Sequence, residues 1–289
     1  MFKYIITALA ISVGVLSHAQ PAFDIQGHRG ARGLYPENTI TGFIEAIKLG
    51  VNTLEMDVVI TKDGKVVLSH DPTINCDICI YCGDTKGKKE YMIYRMDYDL
   101  IKTIDCGGKG NPKFPEQKKM FAVKPLLTDV IDSVESYLKQ NHLPPVLYNI
   151  ETKSTPGGDE VEHPAPDVFA KMLYDELKQK NVLNKCIIQS FDPRTLEAIH
   201  KMDASTTTAL LVFNADSYAK NIKRLGFTPT IYSPNYMLVN DKLIKKCHAQ
   251  KVKIIPWTVN EEDKMLKLKQ QGVDGLITDY PDKAIKVLR

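Results

Sequence analysis

Long apolar stretches are scarce in this chain. Beyond the first twenty residues no run approaches the ~18 apolar residues that a membrane-crossing helix requires. Low-complexity tracts and internal repeats are also missing, which leaves an ordinary globular sequence to explain. Charge of one sign is lacking as well. Lysine and arginine number 38 against 35 acidic residues, a formal charge of +3, and the basic residues are scattered. That balance gives no electrostatic case for a nucleic-acid partner, and the short run Lys86 to Lys89 reads as a solvated loop. Tryptophan occurs once, at Trp257. Apolar residues make up 43% of the 289 and charged residues 25%, enough for a sizeable core and against global disorder.

The apolar run that does occur lies at the start. Lys3 supplies a positive region, Ile5 to Leu16 a short apolar one, and Ser17 and Ala19 are small residues placed before a cut at Gln20. This is a secretory signal pattern, too short for a comfortable membrane span, and no cysteine near the cut suggests a lipid anchor. Residues 1–19 are therefore expected to be removed, leaving 20–289 as one domain, exported to the periplasm or secreted, with no stable membrane insertion. Loss of Lys3 lowers the formal charge by one, from +3 to +2. The cysteines, six in all, fit that compartment. Cys76, Cys79, Cys82 and Cys106 lie close in sequence and are expected to form structural disulfides in one of three pairings, a thiolate metal site being the alternative. Cys186 and Cys247 fall in a predicted strand and helix and read as buried apolar residues.

From residue 23 onward β-rich runs alternate with helical patterns, the mark of a parallel α/β fold. The strand candidates are Phe23–His28, Thr53–Val59, Val146–Thr152, Lys185–Gln189, Thr207–Phe213, Thr230–Ser233, Lys253–Thr258 and Gly275–Thr278. Helical periodicity covers Thr39–Leu49, Thr128–Gln140, Asp167–Lys180, Pro193–Met202, Asp241–Gln250 and Glu261–Gln271. Eight such strands suit a closed TIM (β/α)8 barrel of about 250 residues better than an open sheet. A ninth run, Lys65–Ser69, follows the second strand after only Thr61-Lys62-Asp63-Gly64. So short a link makes a hairpin, since a parallel crossover needs a dozen or more residues. Residues 72–125 then break the alternation, with the cysteines, several prolines and no clear helical period, and form an insertion.

Glu55 and Asp57 lie two apart on a predicted strand, so both carboxylates point to one face, here the barrel interior. Glu151 ends another strand at the C-terminal mouth, where barrel enzymes place their chemistry. Three convergent carboxylates repel one another and resist desolvation unless a cation sits among them or Arg29 and Lys153 pair with them. All-oxygen ligands favour one hard divalent ion, Ca²⁺ or Mg²⁺. His28 and His70 close the first strand and the returning hairpin strand. Phosphodiester cleavage needs a base for the attacking hydroxyl and an acid for the leaving alkoxide, and imidazole suits both tasks near neutrality. Arg29 could clamp a phosphate, and Lys153 lies on the face of Glu151 and could add a point charge.

The strings Gly27-His28-Arg29-Gly30, Pro36-Glu37-Asn38-Thr39, Glu55-Met56-Asp57-Val58, Thr61-Lys62-Asp63-Gly64, His70-Asp71 and Ile150-Glu151-Thr152-Lys153 follow one another in order. Trp257-Thr258-Val259-Asn260 and Gly272 to Pro281 complete the series. Together they resemble the glycerophosphodiester phosphodiesterase family over nearly the whole chain beyond the signal. The resemblance implies a phospholipase-C-like TIM barrel that hydrolyses small glycerophosphodiesters to glycerol 3-phosphate and an alcohol. It implies His28 and His70 as acid/base pair, Glu55, Asp57 and Glu151 as metal ligands, Arg29 and Lys153 as phosphate contacts, and Trp257 on the glycerol side. Glu37 matches its motif, while Asn38-Thr39 reads chiefly as a helix start. The cysteine content of the insertion departs from the family pattern and leaves the leaving alcohol open. Attack by water and attack by the glycerol 2-hydroxyl through a cyclic phosphate both fit. Two other readings stand beside this one. One is a lipid-directed phospholipase D-like enzyme or lyase, which would want an apolar insertion where residues 83–120 look polar. The other is a non-catalytic barrel that binds polyol phosphates, which would be expected to lack a histidine or carboxylate.

Overall fold

The structure, a computed structural model, describes residues 23–80 and 91–289. The expected signal segment, Cys82 and the Lys86 to Lys89 run lie outside the described residues. Strands β1 (Asp24–Gly27), β2 (Thr53–Ile60), β4 (Leu147–Thr152), β5 (Cys186–Ser190), β6 (Thr207–Val212), β7 (Ile231–Pro234), β8 (Lys253–Ile254) and β9 (Gly275–Thr278) pair in parallel in the order β8-β7-β6-β5-β4-β2-β1-β9. Backbone bonds between the end strands close the ring. Asp274 donates to the Ile254 carbonyl at 3.0 Å, Ile277 to Pro256 at 2.9 Å, and Val259 to Ile277 at 2.9 Å. The expected (β/α)8 barrel is thus what the chain forms.

Its helices are α1 (Ile40–Leu49), α2 (Tyr98–Ile101), α3 (Leu127–Gln140), α4 (Pro166–Gln179), α5 (Pro193–Met202), α6 (Tyr218–Leu225), α7 (Asp241–Ala249), α8 (Glu262–Gln271) and α9 (Pro281–Leu288). Three of them, α2, α6 and α9, were not expected from periodicity. They span four, eight and eight residues, too short for a clear 3.6 repeat. The two longer ones are α6 and α9. Their ends are nonetheless written in the sequence. Ser217 caps α6 by accepting from the Lys220 amide, Gly226 closes it at φ 80°, and Pro281 opens α9. The expected strand Lys253–Thr258 shortens to β8, because Pro256 has no N–H to donate to a ladder.

The core lies between strands and helices, with Phe43, Leu54, Leu127, Phe169, Leu173 and Leu196 fully buried. Inside the barrel the two sides differ. Ile187, Ala209, Ile231, Ile255 and Ile277 form an apolar layer against the β5–β9 wall. The β1–β2–β4 wall carries a ladder of buried polar groups instead. Asn149 donates to Gln26 at 2.7 Å and to Gln189 at 3.0 Å, and Gln189 donates to Glu55 at 2.7 Å. Most buried polar atoms must be satisfied, and here the Asn149 amide N–H groups and Gln189 are, while Asn149 Oδ1 is left without a hydrogen-bond partner.

The Thr61–Gly64 link makes the expected hairpin. Strand β3 (Val66–Leu68) returns antiparallel on β2, with Val67 opposite Val59. The following insertion has more order than its sequence suggested, a short helix α2 and a core that it shares with the hairpin. Val59, Val67, Ile74, Ile78, Ile93, Met96, Ile101 and Ile104 pack beneath the hairpin. Cys79 and Cys106 are bonded as a disulfide within that core, which removes both sulfurs from any thiolate metal site. Cys186 and Cys247 are buried and free, as expected.

The bridge joins two points of the insertion 27 residues apart in sequence. Replacing Cys79 and Cys106 together by Ala is expected to raise proteolytic nicking within 71–125 at least tenfold, while the circular dichroism of the barrel stays unchanged. Unaltered protease resistance would show that the insertion holds its shape without this bridge.

Candidate active site

Side chains from several strand ends meet at the C-terminal mouth of the barrel. After β1 the chain turns through Gly27-His28-Arg29-Gly30 so tightly that a Cβ on Gly27 would lie 2.3 Å from the Gly30 carbonyl oxygen. Gly30 itself sits at φ 89° against the α1 backbone, where a side chain would clash with Gly42. Arg29 takes the left-handed conformation at φ 51°, and its backbone N–H donates to Glu55 at 2.9 Å. The β2–β3 hairpin returns the chain to the same rim and ends at His70.

Glu55 and Asp57 point inward from β2, and Glu151 from β4, where its Cα is the register partner of Asp57. Their exposures are 1%, 0% and 7%, and each brings an oxygen within 4.8 Å of the others. Cationic side chains answer part of this charge. Arg29 Nε lies 3.1 Å from Asp57, an ion pair without hydrogen-bond alignment, and Nη1 bonds Glu37 at 2.8 Å. Lys153 Nζ lies 2.6 Å from Glu151 and 3.6 Å from Asp57 Oδ1. The second oxygen of Asp57 accepts from Asn38 at 2.9 Å. Among the described residues Glu55 accepts hydrogen bonds from the Arg29 amide and Gln189, with the His28 ring 3.9 Å away. Burial, then Asp57 and Glu151, push its carboxyl well above the ordinary range. Burial raises Glu151 too, despite Lys153. Burial alone would raise Asp57, but Arg29 and Lys153 outweigh it and hold it well below the usual value.

These acids fit a divalent cation on structural grounds. The donors are all oxygen, Asp57 Oδ1 is buried without a hydrogen-bond partner, and burial beside Asp57 and Glu151 disfavours the charged form of Glu55, a cost that a bound cation would offset.

His28 is held by Asp279, whose Oδ1 lies 2.6 Å from Nδ1. Asp279 also accepts from Arg32 at 2.8 Å and from Asn260 at 2.8 Å. Burial would raise Asp279, but His28 and Arg32 keep it well below the ordinary range and ionised. Burial lowers His28 from 6.5 to about 4 against the pull of Asp279. A neutral ring facing an ionised carboxylate carries its proton on Nδ1 and leaves the Nε2 lone pair free. His70 is oriented likewise, its Nδ1 lying 2.8 Å from Asp71, a carboxylate drawn down to about 2 chiefly by that hydrogen bond.

A cavity of about 210 Å³ is lined by His28, Arg29, Glu55, His70, Glu151 and Lys153 on one side and by Phe191, Leu211 and Trp257 on the other. All eight residues singled out from the sequence therefore come together, Asp57 lying just beneath its fellow acids. Sequence reasoning missed several others. Asp279 and Asn38 stand inside strings that were recognised, yet Asp279 had no role attached and Asn38 was read only as part of a helix start. Thr39 does cap α1, accepting from the Gly42 amide at 3.0 Å, but Asn38 turns at φ 55° away from the helix and toward Asp57. Gln189, Arg32 and Phe191 carried no sequence signal at all.

Residues 28–283 match the model of the glycerophosphoryl diester phosphodiesterase family. The chain belongs to that family. As a family member it is an enzyme that cleaves phosphoric diesters. A glycerophosphodiester phosphodiesterase from Bacillus altitudinis is 27% identical over 271 residues, covering 91% of this chain and 97% of the relative. A crystal structure from Silicibacter pomeroyi superposes with a TM-score of 0.80 at 25% identity, over 92% of each chain. An Oleispira antarctica phosphodiesterase, solved in complex with the product sn-glycerol-3-phosphate, shares the fold at a TM-score of 0.72 and 21% identity, over 92% of this chain and 96% of that one.

The low value of His28 in this phosphodiesterase links the site to stability. The unfolded chain takes up the proton first as pH falls, so the contribution of His28 is whole above about 6.5 and is lost toward about 4. The unfolding free energy of wild type over that of His28→Asn, measured in urea with chelator present, is expected to shrink by on the order of 3 kcal/mol between pH 7 and pH 4. A gap that does not change with pH would contradict a neutral buried imidazole.

Proposed function

We propose that this chain hydrolyses glycerophosphodiesters to sn-glycerol 3-phosphate and an alcohol, with His28 and His70 as its proton-transfer pair. The observation that carries the reading is the convergence of both imidazoles and three buried acids on one cavity. The substrate named for the Bacillus altitudinis relative and the product bound in the Oleispira antarctica structure support the substrate class.

Glu55, Asp57 and Glu151 would hold one divalent cation, Ca²⁺ or Mg²⁺, which would offset charge on the non-bridging phosphate oxygens. The side chains supply the rest. His28, neutral and with Nε2 unprotonated, accepts the proton of the attacking hydroxyl. Asp279 fixes the ring and stabilises the imidazolium that forms, the role of an orienting carboxylate beside a catalytic histidine. His70, held through Nδ1 and with a third of its side chain exposed, delivers a proton to the alkoxide that departs toward solvent. Arg29 and Lys153 bring fixed positive charge to the phosphate, and Trp257 and Phe191 wall the apolar side. Export to the periplasm or outside the cell is supported by the signal pattern of residues 1–19 and by the Cys79–Cys106 bridge.

Release of glycerol 3-phosphate from glycerophosphocholine is the direct test. His28→Ala and His70→Ala are each expected to lower kcat about 10²-fold or more with the fold intact, and near-normal turnover in either would remove that residue from proton transfer. Asp279→Asn should lower kcat by a similar factor, since the amide no longer stabilises the His28 imidazolium and pairs less well with Arg32 at the cavity wall. Excess chelator should abolish turnover and Ca²⁺ or Mg²⁺ restore it; undiminished activity in chelator would refute the cation role.

A further inference from the structure

The insertion rejoins the barrel beside the turn that carries His70. Its last residues run antiparallel to β3, with Leu126 opposite Val67 and the Leu68 amide donating to the Pro125 carbonyl at 2.9 Å. One residue earlier, the Lys124 carbonyl accepts from the Tyr98 hydroxyl at 3.3 Å, which ties it to the start of α2. Lys124 is only 8% exposed. Its Nζ donates to Ser69 Oγ at 2.9 Å, the single hydrogen bond of that amino group among the described residues. Ser69, fully buried, donates in turn to the Asp71 carbonyl at 2.7 Å, and its amide donates to the Asp57 carbonyl at 3.1 Å. Between Ser69 and Asp71 stands His70, its Nδ1 held by the Asp71 carboxylate.

A lysine is an unfavourable choice for this place. Burial disfavours its charged form, and the neighbouring acids Glu37 and Asp71 offset that only in part. One bond to a neutral hydroxyl leaves the other amino hydrogens without partners. An apolar side chain of similar length would fill the space without that cost. Nor does Lys124 line the cavity, so contact with substrate does not account for it. What the amino group does reach is the His70 turn.

We propose that Lys124 is a positioning residue for proton delivery, acting through Ser69 to fix the turn that aims His70 at the departing alkoxide. The inference rests on the reading of His70 as proton donor given above. A hydroxyl has one hydrogen to give and lone pairs to receive with. By donating to Ser69, Lys124 leaves that hydroxyl one role, to donate to the Asp71 carbonyl. The Asp71 backbone is thereby pinned, and its carboxylate holds the imidazole through Nδ1. Without the lysine the hydroxyl is free to rotate, and the ring loses the fixed geometry that proton transfer requires.

The test uses two substrates that differ in their need for a proton. Choline departs from glycerophosphocholine as a basic alkoxide and needs one, whereas p-nitrophenolate departs from the p-nitrophenyl ester of glycerol 3-phosphate without help. Both are to be assayed with wild type, His70→Ala, Lys124→Met and Ser69→Ala. Lys124→Met keeps the volume of the stem and removes the amino group; Ser69→Ala removes its acceptor. Each should lower kcat on glycerophosphocholine about tenfold with KM within about twofold, and should leave the p-nitrophenyl ester within about twofold of wild type. Equal losses on both substrates, as general damage to the fold would give, or no loss on either, would overturn the assignment. Should Lys124→Met not fold, Ser69→Ala decides by the same outcomes. A selective loss in His70→Ala beside an unselective one in the other two variants would sink this inference alone. Equal slowing of both substrates in His70→Ala would bring down the proton-donor reading and this inference with it.

Discussion

Negative charge confined in a dry barrel is the constraint around which this molecule is built. Asp57 and Glu151 are register partners on adjacent strands, Glu55 lies two residues away, and all three are buried. Their mutual repulsion has to be met locally, because water cannot do it. Arg29 and Lys153 come from the ends of the neighbouring elements, and the polar ladder from Gln26 through Asn149 and Gln189 carries hydrogen bonds down to Glu55. What these leave unanswered, an unbonded Asp57 oxygen and a Glu55 carboxyl pushed up by burial and its acidic neighbours, is the room for a cation. The scaffold and the chemistry thus share one electrostatic cause.

The same cause divides the barrel. Polar groups that bond one another fill the β1–β2–β4 side, and an isoleucine-rich layer fills the other. Each side continues upward into the part of the mouth it supports, charged over the ladder and aromatic over the isoleucines. Substrate orientation follows directly, since a phosphodiester has only one wall on which its charge can be met.

Much of this was readable from residues alone. Strand alternation, the brevity of the Thr61–Gly64 link, and the pairing of Glu55 with Asp57 at period two are local facts, and they located the barrel, the hairpin and the acids. What stayed hidden depends on contacts between distant segments. Asp279 is 251 residues from His28, and nothing in its own string says that it faces an imidazole. Asn38 looked like part of a helix start, because a left-handed turn that frees its amide for Asp57 leaves no local trace beyond the asparagine itself. Gln189 lies in a strand of otherwise ordinary apolar pattern. The insertion hid its order for another reason: its core is borrowed from Val59 and Val67 of the hairpin. It also reaches the site, with Gln117 donating to the Arg32 carbonyl at 2.7 Å and the Arg32 guanidinium 4.8 Å over the Phe114 ring.

The lateness of Asp279 in the chain has a further meaning for the making of the protein. The carboxylate that orients His28 belongs to the exit of β9, the last strand of the barrel, while His28 follows the first. The ring must therefore close, β9 beside β1, before that imidazole meets its carboxylate. A chain interrupted before β9 leaves His28 without this partner, whatever portion of the barrel it has already folded.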